Sequence, residues 1–190
     1  MIEIVPHKPQ WKVEFEKLGS RLKDTLTGSI KGIHHIGSTA VSELGAKDVI
    51  DIQVTLAKFD PKIIKELEML GFHNLEHINS DHLPAGAAHL PASELQKWFF
   101  QMLEPAVNLH VRISGRYNQR YALLCRDYLR NDDFAAKAYE AVKISLARYF
   151  PHDMKAYYDI KDPVFDVLMA GAEHWAASVN WKIPPSDIMI

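Results

Sequence analysis

Gly37-Ser38 and Asp51 are the residues whose types and spacing could do chemistry together. A glycine lets the backbone approach a phosphate closely. The serine after it offers an N–H and a hydroxyl to phosphate oxygens. If the segments holding Ser38 and Asp51 are neighbouring strands, the carboxylate can point into the same pocket and hold a divalent ion that bridges phosphate oxygens. Gly-Ser pairs are also common turns and strand aspartates are often simply solvated, so spacing alone leaves both readings open. Two other signals are weaker. His73-Asn74-Leu75-Glu76-His77 spells a zinc-peptidase word, but that word needs a helix, and Gly71 has just closed one. Cys125 follows the apolar run Tyr121-Ala122-Leu123-Leu124 and reads as a small core residue; a lone cysteine excludes an internal disulfide.

The positioning elements follow from periodicity. Trp11, Phe15, Leu18 and Leu22 recur at helical spacing after Pro9, and Thr27-Gly28-Ser29 should end that helix. Ile33–Ile36 leads as a strand into Gly37. Ile50, Ile52 and Val54 alternate with Asp51 and Gln53, which predicts a second strand with two faces. Asp60-Pro61 starts a helix through Ile63, Ile64, Leu67 and Leu70. Residues 81–91 read as a loop, Trp98–Met102 as a strand, and Val107–Arg112 as another with Asn108, His110 and Arg112 on one face. Three helices follow. One runs through Tyr121, Leu124 and Tyr128, one through Phe134, Ala138, Val142 and Tyr149, and one starts at Asp162-Pro163 and runs through Phe165, Leu168, Ala172 and Trp175. Residues 1–180 are expected to form one domain, with 181–190 a loose C-terminal tail. Strands first and helices later argue for an α+β domain.

Composition narrows the partners. The chain has 190 residues, 47% hydrophobic and 24% charged, with 22 Lys plus Arg against 24 Asp plus Glu for a net charge of −2. Those are globular values. The even balance gives no basic track, so neither nucleic acid nor an anionic membrane is expected as partner. No apolar run approaches the ~20 residues that span a bilayer, and the N-terminus lacks a signal peptide's basic start and apolar core. A cytoplasmic location is expected.

The words of the sequence are more specific than their spacing. His35-Ile36-Gly37-Ser38-Thr39-Ala40-Val41, Ala46-Lys47 and Ile50-Asp51-Ile52-Gln53-Val54 resemble the GrpB family, whose pattern there runs roughly HIGSTAVPGLxAKPxIDIxV. Leu109-His110-Val111 is similar to the family's HLHV strand and Arg126-Asp127-Tyr128-Leu129-Arg130 to its FRDYLR. Lys155-Ala156-Tyr157 through Lys161 is similar to AYxxxK, and Pro9-Gln10-Trp11 with Phe15 to DPxWxxxFE. The resemblance implies a nucleotidyltransferase-like mixed β-sheet with flanking helices and a C-terminal helical half. In that superfamily a Gly-Ser grips nucleotide phosphates, and carboxylates on neighbouring strands hold two metal ions. Carried over residue by residue, it implies Gly37, Ser38 and Thr39 as phosphate-binding. Lys47, Arg126 and Lys161 lie in matching segments and would add positive charge. It implies Asp51 as the metal-binding carboxylate, His110 as second metal ligand or general base, and Gln53 as the residue that orients an acceptor.

The chain departs from that pattern in ways that matter. Gln53 stands at the second carboxylate position, and His110 or Asn108 at the third. Two Mg²⁺ ions about 4 Å apart need several anionic oxygens, and magnesium binds imidazole poorly. Three arrangements stay open: a single divalent ion completed by substrate phosphates, Mn²⁺ or Zn²⁺ on Asp51 and His110, or an anionic ligand bound without transfer. The family's Pro-Gly-Leu is here Ser42-Glu43-Leu44. The resemblance thus implies a nucleotide or small phosphorylated molecule as partner, with nucleotidyl transfer to a small acceptor as the leading activity. Non-catalytic nucleotide or anion binding is the alternative.

Overall fold

Alternating apolar residues make the strands and 3.6-residue stripes make the helices. In the computed structural model, which describes residues 1–26 and 30–190, the chain runs in order α1 (Gln10–Thr25), β1 (Ile30–Ile36), β2 (Ile50–Leu56) and α2 (Lys62–Met69). It continues with β3 (His73–Asn74), β4 (Trp98–Met102), β5 (Val107–Ile113), α3 (Tyr117–Asn131), α4 (Asp133–Tyr149) and α5 (Met154–Ser178). The strands form one five-stranded sheet ordered β1-β2-β5-β4-β3. β2 and β5 are parallel and the other neighbours antiparallel. A parallel pair needs a long crossover, which α2, β3 and β4 supply. This is the α+β arrangement with a mixed sheet and a helical second half. The expected helix end at Thr27-Gly28-Ser29 lies outside the described residues.

The pleat divides the central strands into two faces. Ile50, Ile52, Val54 and Leu56 of β2, with Val107, Leu109 and Val111 of β5, pack on Trp11, Phe15, Leu18 and Leu22 of α1 and Ile63 and Leu67 of α2. Each such side chain, fully buried, stabilises the fold by about 1.5–3 kcal/mol. Asp51, Gln53, Asn108, His110 and Arg112 therefore lie on the opposite face. There the helical half has its own core, built from Leu124, Cys125 and Leu129 of α3, Tyr139 of α4, and Met169, Ala172 and Ala176 of α5. The site lies between that core and the polar face of the sheet.

Three sequence expectations change. The buried stripe of α4 is Ala136, Tyr139, Lys143 and Leu146, whereas Phe134 and Tyr149 are exposed. The stripe is displaced because a lysine, Lys143, takes a core position. Helix α5 begins at Met154, capped by the Asp153 side chain, and Pro163 lies inside it. Proline there gives up one helical hydrogen bond, and the lost partner belongs to Asp159, an exposed residue. Nor does the C-terminal segment hang loose. Ser186 Oγ accepts from Ile33 N–H at 2.9 Å, Asp187 Oδ2 accepts from His35 N–H at 2.9 Å, and Ile188 packs on the sheet core. This covers the free edge of β1, which would otherwise present unpaired backbone groups.

Glu43 has φ +62°, a left-handed conformation that costs a side-chain-bearing residue about 1–2 kcal/mol. It stands where the family pattern has glycine. Glu43→Gly should relieve that strain, offset in part by about 0.5–1 kcal/mol of unfolded-chain entropy. The expected net gain is about 0.5–1 kcal/mol, read as a higher thermal midpoint. A lower midpoint would contradict it.

Candidate functional site

The register of the sheet assembles the site. Asp51 on β2 faces Asn108 on β5, which faces Gln101 on β4. Asn108 Oδ1 accepts from Gln101 Nε2 at 3.0 Å, which turns Asn108 Nδ2 to donate to Asp51 Oδ1 at 3.0 Å. The other oxygen of Asp51 lies against Gly37. Gly37 has φ +69°, and a Cβ there would stand 2.5 Å from Asp51 Oδ2. Gly37→Ala therefore meets both a disfavoured backbone and a carboxylate. A loss of about 2–3 kcal/mol is expected in denaturant unfolding; a variant as stable as the parent would contradict this geometry.

His110 sits behind Asp51, with Nε2 3.7 Å from Asp51 Oδ1. Its other nitrogen, Nδ1, accepts from Arg112 Nη2 at 3.3 Å. Guanidinium only donates, so Nδ1 carries the lone pair and Nε2 the proton. Burial, aided by Arg112 and Lys97, brings His110 down to about 4. The ring is thus neutral at pH 7 with its N–H toward Asp51. Burial also pushes Asp51 up, but His110, Asn108 and Lys47 together hold it below the ordinary carboxylate value.

Arg112 organises the rest of this face. It forks onto Asp81 through Nε at 2.8 Å and Nη2 at 2.9 Å, and donates from Nη1 to Gln53 Oε1 at 2.6 Å. Lys97 and Asn118 also donate to Asp81, at 2.8 and 2.9 Å. Against burial, which pushes it up, Arg112 and Lys97 hold Asp81 well below the usual carboxylate range. Gln53 is fully buried, and its amide is spent on Arg112, Gln119 O and Thr55.

The cleft these residues open into has a volume of about 1070 Å³ and is roofed by α3, α4 and α5. Ser38 and Lys47 enter it from the connection between β1 and β2. Lys143 comes from α4; Tyr157, Tyr158, Lys161 and Phe165 come from α5. Lys143 Nζ donates to Ser38 Oγ at 2.9 Å and to Gly45 O. Lys47 Nζ donates to Tyr158 OH at 2.9 Å and lies 4.9 Å from the Tyr158 ring centroid. Lys161 Nζ lies 5.5 Å from the same ring and 3.1 Å from Asp162. Among the described residues, neither Lys47 nor Lys143 has a carboxylate within 4.0 Å, whereas Lys161 does.

The structure thus brings Gly37, Ser38, Lys47, Asp51, His110 and Lys161 to one cleft. It directs the functional groups of three other candidates elsewhere. Gln53 lies beneath α3. Thr39 is buried, its hydroxyl 3.0 Å from His35 Nε2. Arg126 reaches the cleft wall, but its guanidinium donates to Asp127, His35 O and Asp187, so it ties α3 to the C-terminal segment. Sequence reasoning missed Lys143 and Asp81. Lys143 had a signal, a lysine at the middle of the Tyr139–Leu146 stripe; Asp81 had none within its loop.

His35 is also brought to about 4 by burial. His35 and His110 stay neutral in the fold while an unfolded imidazole titrates near 6.5. The unfolded chain therefore takes up protons first as pH falls. Stability should be full above pH 6.5 and decline toward about 4. Urea midpoints across that interval check this, and an unchanged midpoint would contradict it.

Comparison with known proteins places the chain. The family model described as GrpB protein matches residues 1–170, and the chain belongs to the GrpB family. A protein named dephospho-CoA kinase from Mycolicibacterium paratuberculosis is 33% identical over 95% of this chain and 48% of its own length. The chain spans about half the length of the dephospho-CoA kinases it matches. The glutamate-rich protein GrpB of Alkalihalophilus pseudofirmus is 28% identical over 87% of this chain and 92% of its own. The crystal structure of GrpB from Enterococcus faecalis aligns at a TM-score of 0.68 and 22% identity, covering 91% of this chain and 99% of that one, so the two share a fold. Among the described residues no helix is long and apolar enough to cross a membrane.

Proposed function

We propose that the cleft binds a nucleotide or other small phosphorylated molecule. The observation that carries this is a cleft lined by Lys47, Lys143 and Lys161 beside the Asp81-bound Lys97, with Lys47 and Lys143 having no carboxylate within 4.0 Å among the described residues. Enclosed positive charge is costly unless compensated, and an anionic ligand is the compensating partner. Lys47 and Lys161 both stand on the Tyr158 ring. They are the neighbouring pair suited to phosphate oxygens, while Tyr121, Tyr157 and Phe165 offer flat faces to a base or other ring.

The donor set does not fit a two-ion centre. Among the described residues no group of three or more His, Cys, Asp or Glu side chains converges. Asp81 is enclosed by Arg112, Lys97 and Asn118. His110 would have to move its proton to Nδ1 to ligate through Nε2, and Nδ1 faces an Arg112 donor. Asp51, ionised and beside Gly37, fits one divalent ion shared with ligand phosphates. No step of two-ion nucleotidyl transfer is derived from this set, and the binding reading is the stronger.

Thermal unfolding with adenosine diphosphate and with adenosine tests it, with and without Mg²⁺, Mn²⁺ or Zn²⁺. Ligand at a hundred times Kd should add about 2.7 kcal/mol. A shift with the diphosphate and none with adenosine is expected, and Asp51→Asn should remove any part that depends on metal. Equal shifts, or none with either, would overturn the proposal.

A further inference from the structure

We propose that Ser38 and Lys143 form a nucleophile–base pair that takes an acyl group from an ester or thioester whose leaving group carries phosphate, an assignment that rests on the phosphorylated-ligand reading of the same cleft. Gly37, at φ +69°, turns the chain sharply after β1 and presents half-buried Ser38 to the cleft. Lys143, 3% exposed, reaches Ser38 Oγ at 2.9 Å from the opposite wall. Gly45 O receives a second Lys143 N–H and fixes the amine. Nucleophile, base and orienting group thus stand in hydrogen-bonded sequence. A neutral Lys143 would keep its N–H on Gly45 O and offer its lone pair to the Ser38 O–H.

The surroundings favour a neutral amine within reach of ordinary pH. Lys143 is faced by Glu140 on its own helix, Lys161 on α5, Cys125 on α3 and Asp51 on β2, and its ammonium lies 4.9 Å from the Tyr139 ring centroid. Burial, opposed by Glu140 and assisted by Lys161, brings it down to about 8. Roughly a tenth is then free base at pH 7. Cys125 is a buried thiol pushed up by burial and is no competitor as nucleophile.

Acyl transfer suits this set better than phosphoryl transfer to the serine. The latter gathers charge that two ions would have to offset, and one free carboxylate cannot hold them. Acyl transfer needs a base at the hydroxyl. Ser38 Oγ bonds to the acyl carbon, the bond from that carbon to the leaving oxygen or sulfur breaks, and the Ser38 proton passes to Lys143 Nζ and on to the leaving group. Lys47 and Lys161 hold the leaving group's phosphate. Water then attacks the acyl carbon, the carbon–Oγ bond breaks, Ser38 regains a proton, and a carboxylic acid departs.

The full chain treated with a fluorophosphonate, and separately with acetyl phosphate, tests this by peptide mass mapping. One lasting adduct on Ser38 is expected with the fluorophosphonate, and with acetyl phosphate an acetyl group on Ser38 in samples quenched in acid before water releases it. The labelling rate should rise between pH 7 and 9 with a midpoint near 8 and fall at least about a hundredfold in Lys143→Met and in Lys143→Arg. The arginine variant keeps the charge but cannot serve as base, so a packing defect in one variant leaves the other decisive. No Ser38 adduct, or wild-type rates in both variants, would overturn the pair. Adenosine diphosphate should slow the labelling. If it binds and Ser38 never reacts, the pair fails and the ligand reading stands; if Ser38 reacts and the diphosphate neither binds nor protects, the phosphate-bearing leaving group is refuted.

Discussion

Replacing Asp81 with Asn should remove about 3–5 kcal/mol of folding stability. Asp81 is enclosed by the Arg112 fork, the Lys97 ammonium and the Asn118 amide, all at 2.8–2.9 Å. Lys97 and Arg112 are 7% and 5% exposed. The Asn variant keeps the shape and leaves two buried cations facing each other, which is why breaking one partner of a buried group costs far more than the group contributes as a whole. For a chain of this size the thermal midpoint should fall by roughly 10 °C. Asp81 is held below its ordinary value, so its contribution is present above the unfolded carboxylate range and is lost as pH falls below it. The gap between parent and variant should therefore close in acid. The triple change Asp81→Leu, Lys97→Met and Arg112→Met should recover most of the loss. An Asp81→Asn midpoint within 2–3 °C of the parent, worth about 1 kcal/mol, would show that the network is not what holds the 81–97 segment to the sheet.

The central strands were legible because a period of two leaves little choice. Ile50, Ile52 and Val54 must go one way, so Asp51 and Gln53 must go the other. What alternation does not tell is how deep the second face lies. Asp51 stands at the rim and Gln53 beneath α3, where Arg112 and Gln119 occupy it. The stripe of α4 departs from its periodicity for a physical reason. Phe134 and Tyr149 are aromatic and their spacing points them inward, while the core position belongs to Lys143, whose amine finds a hydroxyl and a carbonyl inside. Asp162-Pro163 is a sound helix-start signal, yet Asp153 caps α5 a few turns earlier. Arg126 has the chemistry of a phosphate fork and is a brace for the C-terminal segment, because besides its neighbour Asp127 it binds Asp187, 61 residues away in sequence. Long-range pairs of that kind, Asp81 with Arg112 among them, leave no local trace.

Binding should depend most on Lys47 and Lys161. Both ammonium groups lie within 5.5 Å of the Tyr158 ring centroid, and among the described residues Lys47 has no carboxylate within 4.0 Å. A charge-assisted contact to phosphate contributes about 1.5–3 kcal/mol, so Lys47→Met with Lys161→Met should weaken a diphosphate by about a hundredfold or more. Neither lysine is deep in a core, so the fold should survive the change. Calorimetric titration of adenosine diphosphate into the parent and the double variant is the decisive measurement. The geometry predicts one ligand per chain in the parent, weakened by added salt, and at least a hundredfold weaker in the variant while its unfolding midpoint holds. Equal affinities in the two proteins, or no heat of binding in the parent, would contradict it.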